Sequence, residues 1–152
     1  MRRSEREITD RSEIEEILRR AEVVHIGMVD RGEPYVVPVV FAYGDGCIYF
    51  HGATEGRKAA ALRANPRVCF ETYVDYEIVR GKMACQFSAK YRSIIGYGTV
   101  SVVEQRDDKV KGLDVLMSRF AEGPFSYNEQ ALARTAVFRL NIESMTGKKL
   151  GA

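Results

Sequence analysis

Residues 47–66 read CIYFHGATEGRKAAALRANP, and how this stretch is parsed decides the architecture of the chain. Cys47 to His51 is aromatic and β-branched, the composition of a strand. Gly52-Ala53-Thr54 breaks it, and Thr54 is a candidate N-cap, because its hydroxyl can accept from an orphan N–H of a first helical turn. Ala59, Ala60, Ala61 and Leu62 are strong helix formers, which predicts a helix over 54–63. Asn65 precedes Pro66 and is therefore biased out of the α region, which ends that helix.

Arg57 and Lys58 fall in or beside this first turn, where the positive pole of the helix dipole makes cations mildly unfavourable. A bound anion reverses the sign. Free backbone N–H groups, the dipole and two cationic side chains together would make a phosphate site. Gly52 and Gly56 would let a ligand come close to the backbone. The competing reading is two solvated surface cations.

Upstream, Asp10 or Ser12 caps a helix over roughly 12–21, with Ile14, Ile17, Leu18 and Ala21 on one stripe. Residues 23–30 read as a strand, Arg31-Gly32-Glu33 as a turn, and 35–43, YVVPVVFAY, as a nearly wholly apolar second strand. Pro38 in its middle cannot donate to a ladder, so the strand is expected to be locally open there. Gly44-Asp45-Gly46 is a hairpin turn into the strand at 47–51.

Downstream, 67–75 alternates as a fourth strand and 76–82 reads as a polar loop. Residues 83–89 and 92–104 are two strands or one long bent one, with Gly96 and Gly98 marking a bend, a bulge or a close contact. A helix is predicted over 107–121, with Val110, Leu113, Leu116, Met117 and Phe120 on its apolar face, then one helical turn near 128–133. Residues 134–143 alternate as the last strand, and TGKKLGA reads as a polar tail. Six or seven hairpin-connected strands with peripheral helices predict a mainly β chain, a closed or split antiparallel barrel.

Composition narrows the function. At 152 residues the chain is expected to be one domain with a real core. A net charge of +2 is too small to argue for nucleic acid or an anionic membrane. No apolar run approaches a membrane span, and the N-terminal residues MRRSEREITD lack the apolar core of a signal peptide, so a cytoplasmic location is expected. Cys47, Cys69 and Cys85 show no CxxC spacing and read as small buried hydrophobes. Two histidines, His25 and His51, cannot build a multi-histidine metal site, and each reads as a barrel or core residue. Hydrolase and nucleotide-loop motifs are missing. Few catalytic side chains beside a phosphate site fit a protein whose cofactor carries the chemistry.

YVVPVVFAY, CIYFHGATEGRKAAALRANPRVCF and ACQFSAKYRSIIGYGTV, in that order, resemble the FMN-binding split-barrel proteins related to pyridoxamine 5′-phosphate oxidase. Within that group the resemblance is nearest to the nitroimidazole-resistance (Nim-type) branch, and it spans roughly Glu5 to Lys148. Its most specific segment, GRKAAALRANPRV, is similar to the oxidase pattern of Ser-Arg-Lys, then Leu, then Asn-Pro. The resemblance implies that Arg57 and Lys58 grip the FMN phosphate. It implies that Val37, Pro38 and Val39 lie along the isoalloxazine ring and that Phe50, His51 and Gly52 line the ring or ribityl chain. Arg92 and Ser93 would reach the flavin from the second subunit of a homodimer. Two departures stand out. Gly56 replaces the pattern's serine, and no tryptophan or C-terminal substrate segment is present, which argues against true pyridoxamine-phosphate oxidation. The implied activity is an FMN-dependent reduction of a small molecule, such as a nitroaromatic, by a reduced nicotinamide. The alternatives are a flavin store or sensor, a haem protein with His51 as axial ligand, or a deazaflavin protein.

Overall fold

The structure is a computed structural model that describes residues 3–151. Among them the elements run β1 (Glu7–Ile8), α1 (Arg11–Arg20), β2 (Val23–Asp30), β3 (Glu33–Gly44), β4 (Cys47–Ala53), α2 (Arg57–Ala64), β5 (Arg67–Val79), β6 (Ser88–Val103), α3 (Arg106–Met117), α4 (Glu129–Arg134) and β7 (Thr135–Leu150), with short 3-10 turns at Ser4–Arg6 and Ala84–Gln86. The strands lie in the order β1-β7-β4-β3-β2-β5-β6, and β6 pairs back onto β7, so six of them close into an antiparallel ring. This is the expected barrel.

Alternation along the strands fills it. Phe41, Phe50, Phe70 and Phe138 are fully buried at its centre with Ile26, Ile48, Ile94 and Leu140. Each such ring or branched chain contributes on the order of 1.5–3 kcal/mol by leaving water. Thr72, the one buried polar side chain among the described residues, donates its hydroxyl to the Val23 carbonyl at 2.8 Å. Asp10 caps α1 by accepting from the Ser12 N–H at 2.9 Å, and Ile14, Ile17 and Leu18 close one end of the core. Leu113, Leu116 and Leu132 pack with Ala42 and Val137 as a second cluster.

The barrel is split at β3. This strand pairs with β2 along its whole length, from Asp30↔Glu33 to Val23↔Val40. Its pairing with β4 covers only Phe41↔Phe50 to Gly44↔Cys47, while β4 pairs on with β7 as far as Ala53↔Thr135. Residues 33–40 of β3 therefore lack a strand on one side, which is where Pro38 sits. The proline is placed at an opening, as its missing N–H requires.

Several elements differ from the reading of the sequence. Thr54 is not the N-cap. β4 uses residues 52–53 in its ladder, so α2 starts only after Gly56, whose φ of 106° makes the turn. β5 runs on to Val79 through a register shift between Val74 and Glu77, because β6 offers it a partner there. β6 is one strand of 16 residues. The polar C-terminal segment is also strand, since its backbone is held by β6 and β1 whatever its side chains are. α3 ends at Met117, leaving Phe120 64% exposed, and reaches the sheet instead through Gly112, where a Cβ would lie 2.8 Å from Val137. Only Cys47 is buried; Cys69 is half-buried and Cys85 exposed. His25 and His51 are not core residues, because they alternate with the buried Val24, Ile26 and Phe50 and face outward.

Candidate functional site

The turn between β4 and α2 places Arg57 and Lys58 at the first two positions of the helix. Gly56 supplies no side-chain cap, so the first-turn N–H groups have no side-chain acceptor. Arg63, in the last turn, ties the loop down by donating to the Thr54 carbonyl at 2.9 Å.

The two cations differ in environment. Arg57 lies 4.2 Å over the Tyr35 ring and donates to Asp30 at 2.6 Å. It is already neutralised by a carboxylate. Lys58 has none: its ammonium donates to the His51 carbonyl at 3.4 Å, and no carboxylate pairs with it among the described residues. It stands 5.9 Å above both Phe50 and Phe138, a stacked pair with ring centroids 5.0 Å apart. Gly52 makes this seat possible, since a Cβ there would come within 2.7 Å of the ammonium nitrogen. Burial alone pushes the Lys58 pKa below the usual lysine value. A half-desolvated ammonium at a helix N-terminus is a site that lacks its anion.

Around this cation the structure gathers Gly52 and the His51 backbone, both on β4, and the open edge of β3 at Val37, Pro38 and Val39 belongs to the same split. Phe50 has no exposed side-chain surface, so it serves as the floor under Lys58 rather than as a lining group. Arg92 and Ser93 are not part of this cluster. Arg92, 13% exposed, bonds Asp75 at 2.7 Å and Glu16 at 3.3 Å and approaches Glu13 at 3.8 Å, bridging α1, β5 and β6. Arg20 shares Asp75 with it, and these bonds hold the Asp75 carboxyl below the usual carboxylate range. Asp30, Tyr35 and Phe138 escape sequence reading, because they meet the cations only through the fold. A cavity of about 580 Å³ beside Asp45, Tyr49, Lys111 and Arg139 includes none of the expected cofactor residues.

Residues 10–149 match the family model described as pyridoxamine 5′-phosphate oxidase. The chain belongs to that family. Among solved structures it is similar to a proposed 5-nitroimidazole antibiotic resistance protein from Bacteroides thetaiotaomicron, with 31% identity over 94% of this chain and 86% of that one and a TM-score of 0.84. A flavocytochrome from Azotobacter vinelandii shares the fold at 22% identity, 100% and 72% coverage and a TM-score of 0.88. So does an FAD- and haem-binding protein from Mycobacterium smegmatis, at 23% identity, 97% and 74% coverage and a TM-score of 0.87. No protein of curated function matches the sequence. Gly56 has a φ of 106°, a backbone region that favours glycine. No described helix is long and apolar enough to cross a membrane.

Proposed function

We propose that this family member is a flavoprotein that holds FMN in the split between β3 and β4, and that it is an oxidoreductase acting on a small electrophile such as a nitroaromatic, with a reduced nicotinamide as donor. The observation that carries the reading is Lys58, a half-buried ammonium without a carboxylate at the N-terminus of α2. The family membership and the named cofactors of the structural relatives support it.

In this reading the phosphate takes the Lys58 ammonium and the free N–H groups of the first turn of α2. Arg57, oriented by Asp30 and Tyr35, adds a second donor without adding net charge to the site. The unpaired edge at Val37, Pro38 and Val39 offers backbone groups to the polar side of the ring, and Gly52 keeps the approach clear. A bound flavin would supply two-electron transfer; the protein supplies position, exclusion of water and a fixed electrostatic field. Arg92 and Ser93, expected to reach the flavin from a second subunit, are not assigned to the site of their own chain, where Glu13, Glu16 and Asp75 hold Arg92. We further propose a homodimer, with the outer face of β2, β3, β5 and β6 as its contact.

The test is the visible spectrum of the purified protein, with the released chromophore identified by mass. Two flavin bands and FMN are the expected result. A Soret band would replace the reading with haem and make His51 the candidate ligand, and a deazaflavin would show in the released mass. In an FMN titration, Lys58→Ala should weaken binding by about 1.5–3 kcal/mol, the range of a hydrogen bond to a charged group.

A further inference from the structure

Beside the split, β3 and β4 form one wall of an apolar cavity of about 210 Å³, roofed by α3 and α4. Val40, His51, Leu116, Met117, Phe120 and Leu132 line it. Phe41 and Phe50 point into the core, so their neighbours Val40 and His51 point outward, into this space. An apolar cavity of roughly 150 Å³ takes a benzene-sized guest, so this one has room for two fused rings.

Its polar groups are almost all committed. The Tyr127 hydroxyl donates to Asp114 at 2.8 Å, and burial together with that bond pushes its pKa up to about 12, so it stays neutral and occupied. The Thr135 hydroxyl donates to the Ala131 carbonyl at 2.9 Å. The His51 imidazole has no hydrogen-bond partner among the described residues, while its carbonyl is the one that receives Lys58. A neutral imidazole offers one donor and one acceptor. The cavity thus presents a greasy slot with a single free polar contact, one residue away from the cation site.

We propose that this cavity binds a flat, uncharged, one- or two-ring aromatic molecule whose single polar substituent meets the His51 ring, and that this is the substrate class of the proposed flavoprotein. The second half rests on the flavin reading; the first does not.

The test uses the full chain, prepared both flavin-free and after incubation with FMN, with 2-naphthol and naphthalene as ligands. Titration followed by backbone amide shifts should give changes confined to β3, β4, α3 and α4. Ala131→Phe, at an exposed position on the rim, and Val40→Phe, on the opposite wall, should each weaken 2-naphthol binding at least tenfold. His51→Leu should weaken 2-naphthol about five- to tenfold, the net worth of one hydrogen bond, and leave naphthalene within about twofold. No binding at millimolar ligand, shifts that map elsewhere, or two filled variants that bind like the wild type would overturn the proposal. Binding that vanishes as the chain self-associates would also overturn it, by showing a second copy as the occupant. A protein that fails to take up FMN yet binds 2-naphthol as described would sink the flavin reading and leave the cavity assignment standing.

Discussion

Lys58 is the residue on which burial and charge pull in opposite directions. Its ammonium stands 5.9 Å over both Phe50 and Phe138, half-withdrawn from water, with only the His51 carbonyl as a hydrogen-bond partner among the described residues. Because burial lowers its pKa in the folded state, the folded chain holds fewer protons than the unfolded one between that lowered value and the ordinary lysine value. Stability of the empty protein therefore rises with pH through that window, and the charged form is the destabilising one. Lys58→Met keeps the apolar stem and removes the charge. The expected outcome is a thermal midpoint for the empty protein equal to or above the wild type, with FMN affinity lower on the order of 10- to 150-fold. Calorimetry and a flavin titration on the same sample check both halves. A lower midpoint would show that the ammonium stabilises the fold and is not waiting for an anion. The affinity of the wild type for FMN should likewise fall as pH rises through the lowered lysine pKa, whereas Lys58→Arg should keep its affinity over the same range.

Among the elements, the helix–strand junctions were the hardest to read in advance. The sequence signals for β4 and α2 were strong, yet Thr54 looked like a cap because strand pairing to β7 is invisible in a local window. Arg57 and Lys58 stay in the first turn whether the helix is capped at Thr54 or at Gly56, so the cations meet the same helix N-terminus. The C-terminal half of β7 was missed for a related reason: TGKKLGA has no alternation, and only long-range pairing makes it a strand. Arg92 was assigned to the cofactor by resemblance, but nothing local in YRSIIGYG reveals Glu13, Glu16 and Asp75, which lie on other elements. Arg92→Ala should leave Glu16 and Asp75 with Arg20 and Glu13 with Lys149, lower stability by no more than about 1 kcal/mol and leave FMN affinity within about twofold. A large loss of affinity with little loss of stability would return Arg92 to the cofactor site. Gly98 was legible as a close contact, and it is one: a Cβ there would lie 2.2 Å from the Asn141 carbonyl oxygen on β7, next to the register shift at Tyr97/Gly98. Gly98→Ala should force the β6–β7 ladder apart at a loss of about 1–3 kcal/mol, or roughly 2–4 °C in the melting midpoint for each kcal/mol.

At the scale of the whole molecule, the barrel leaves one side of its sheet apolar and uncovered. Strand register lines up Val36, Gly27, Cys69 and Tyr97 as one row across β3, β2, β5 and β6, with Pro38, His25, Glu71 and Ile95 as the next. Val23, Val29, Val36, Tyr73, Ile95 and Tyr97 are each 39–60% exposed. Contiguous apolar surface of this kind marks an interface more often than bare solvent contact. His25 and Glu71 sit within it, 3.1 Å apart, so the polar side chains that a docked copy would cover already have each other as partners within one chain. A two-fold interface brings the same patch together twice, so one substitution acts at two places. Val36→Glu with Tyr97→Glu puts four carboxylates into that contact while touching no core residue. Sedimentation should then report a monomer with an unchanged circular dichroism spectrum. FMN affinity should fall at least tenfold, because the proposed site borders this face through β3 and is completed by the second subunit. Three results separate the ideas. A variant that remains dimeric places the interface elsewhere. A monomer that binds FMN as tightly as the wild type leaves the cofactor site within a single chain. A monomer that loses FMN but still binds 2-naphthol assigns the flavin to the dimer and the aromatic cavity to each barrel alone.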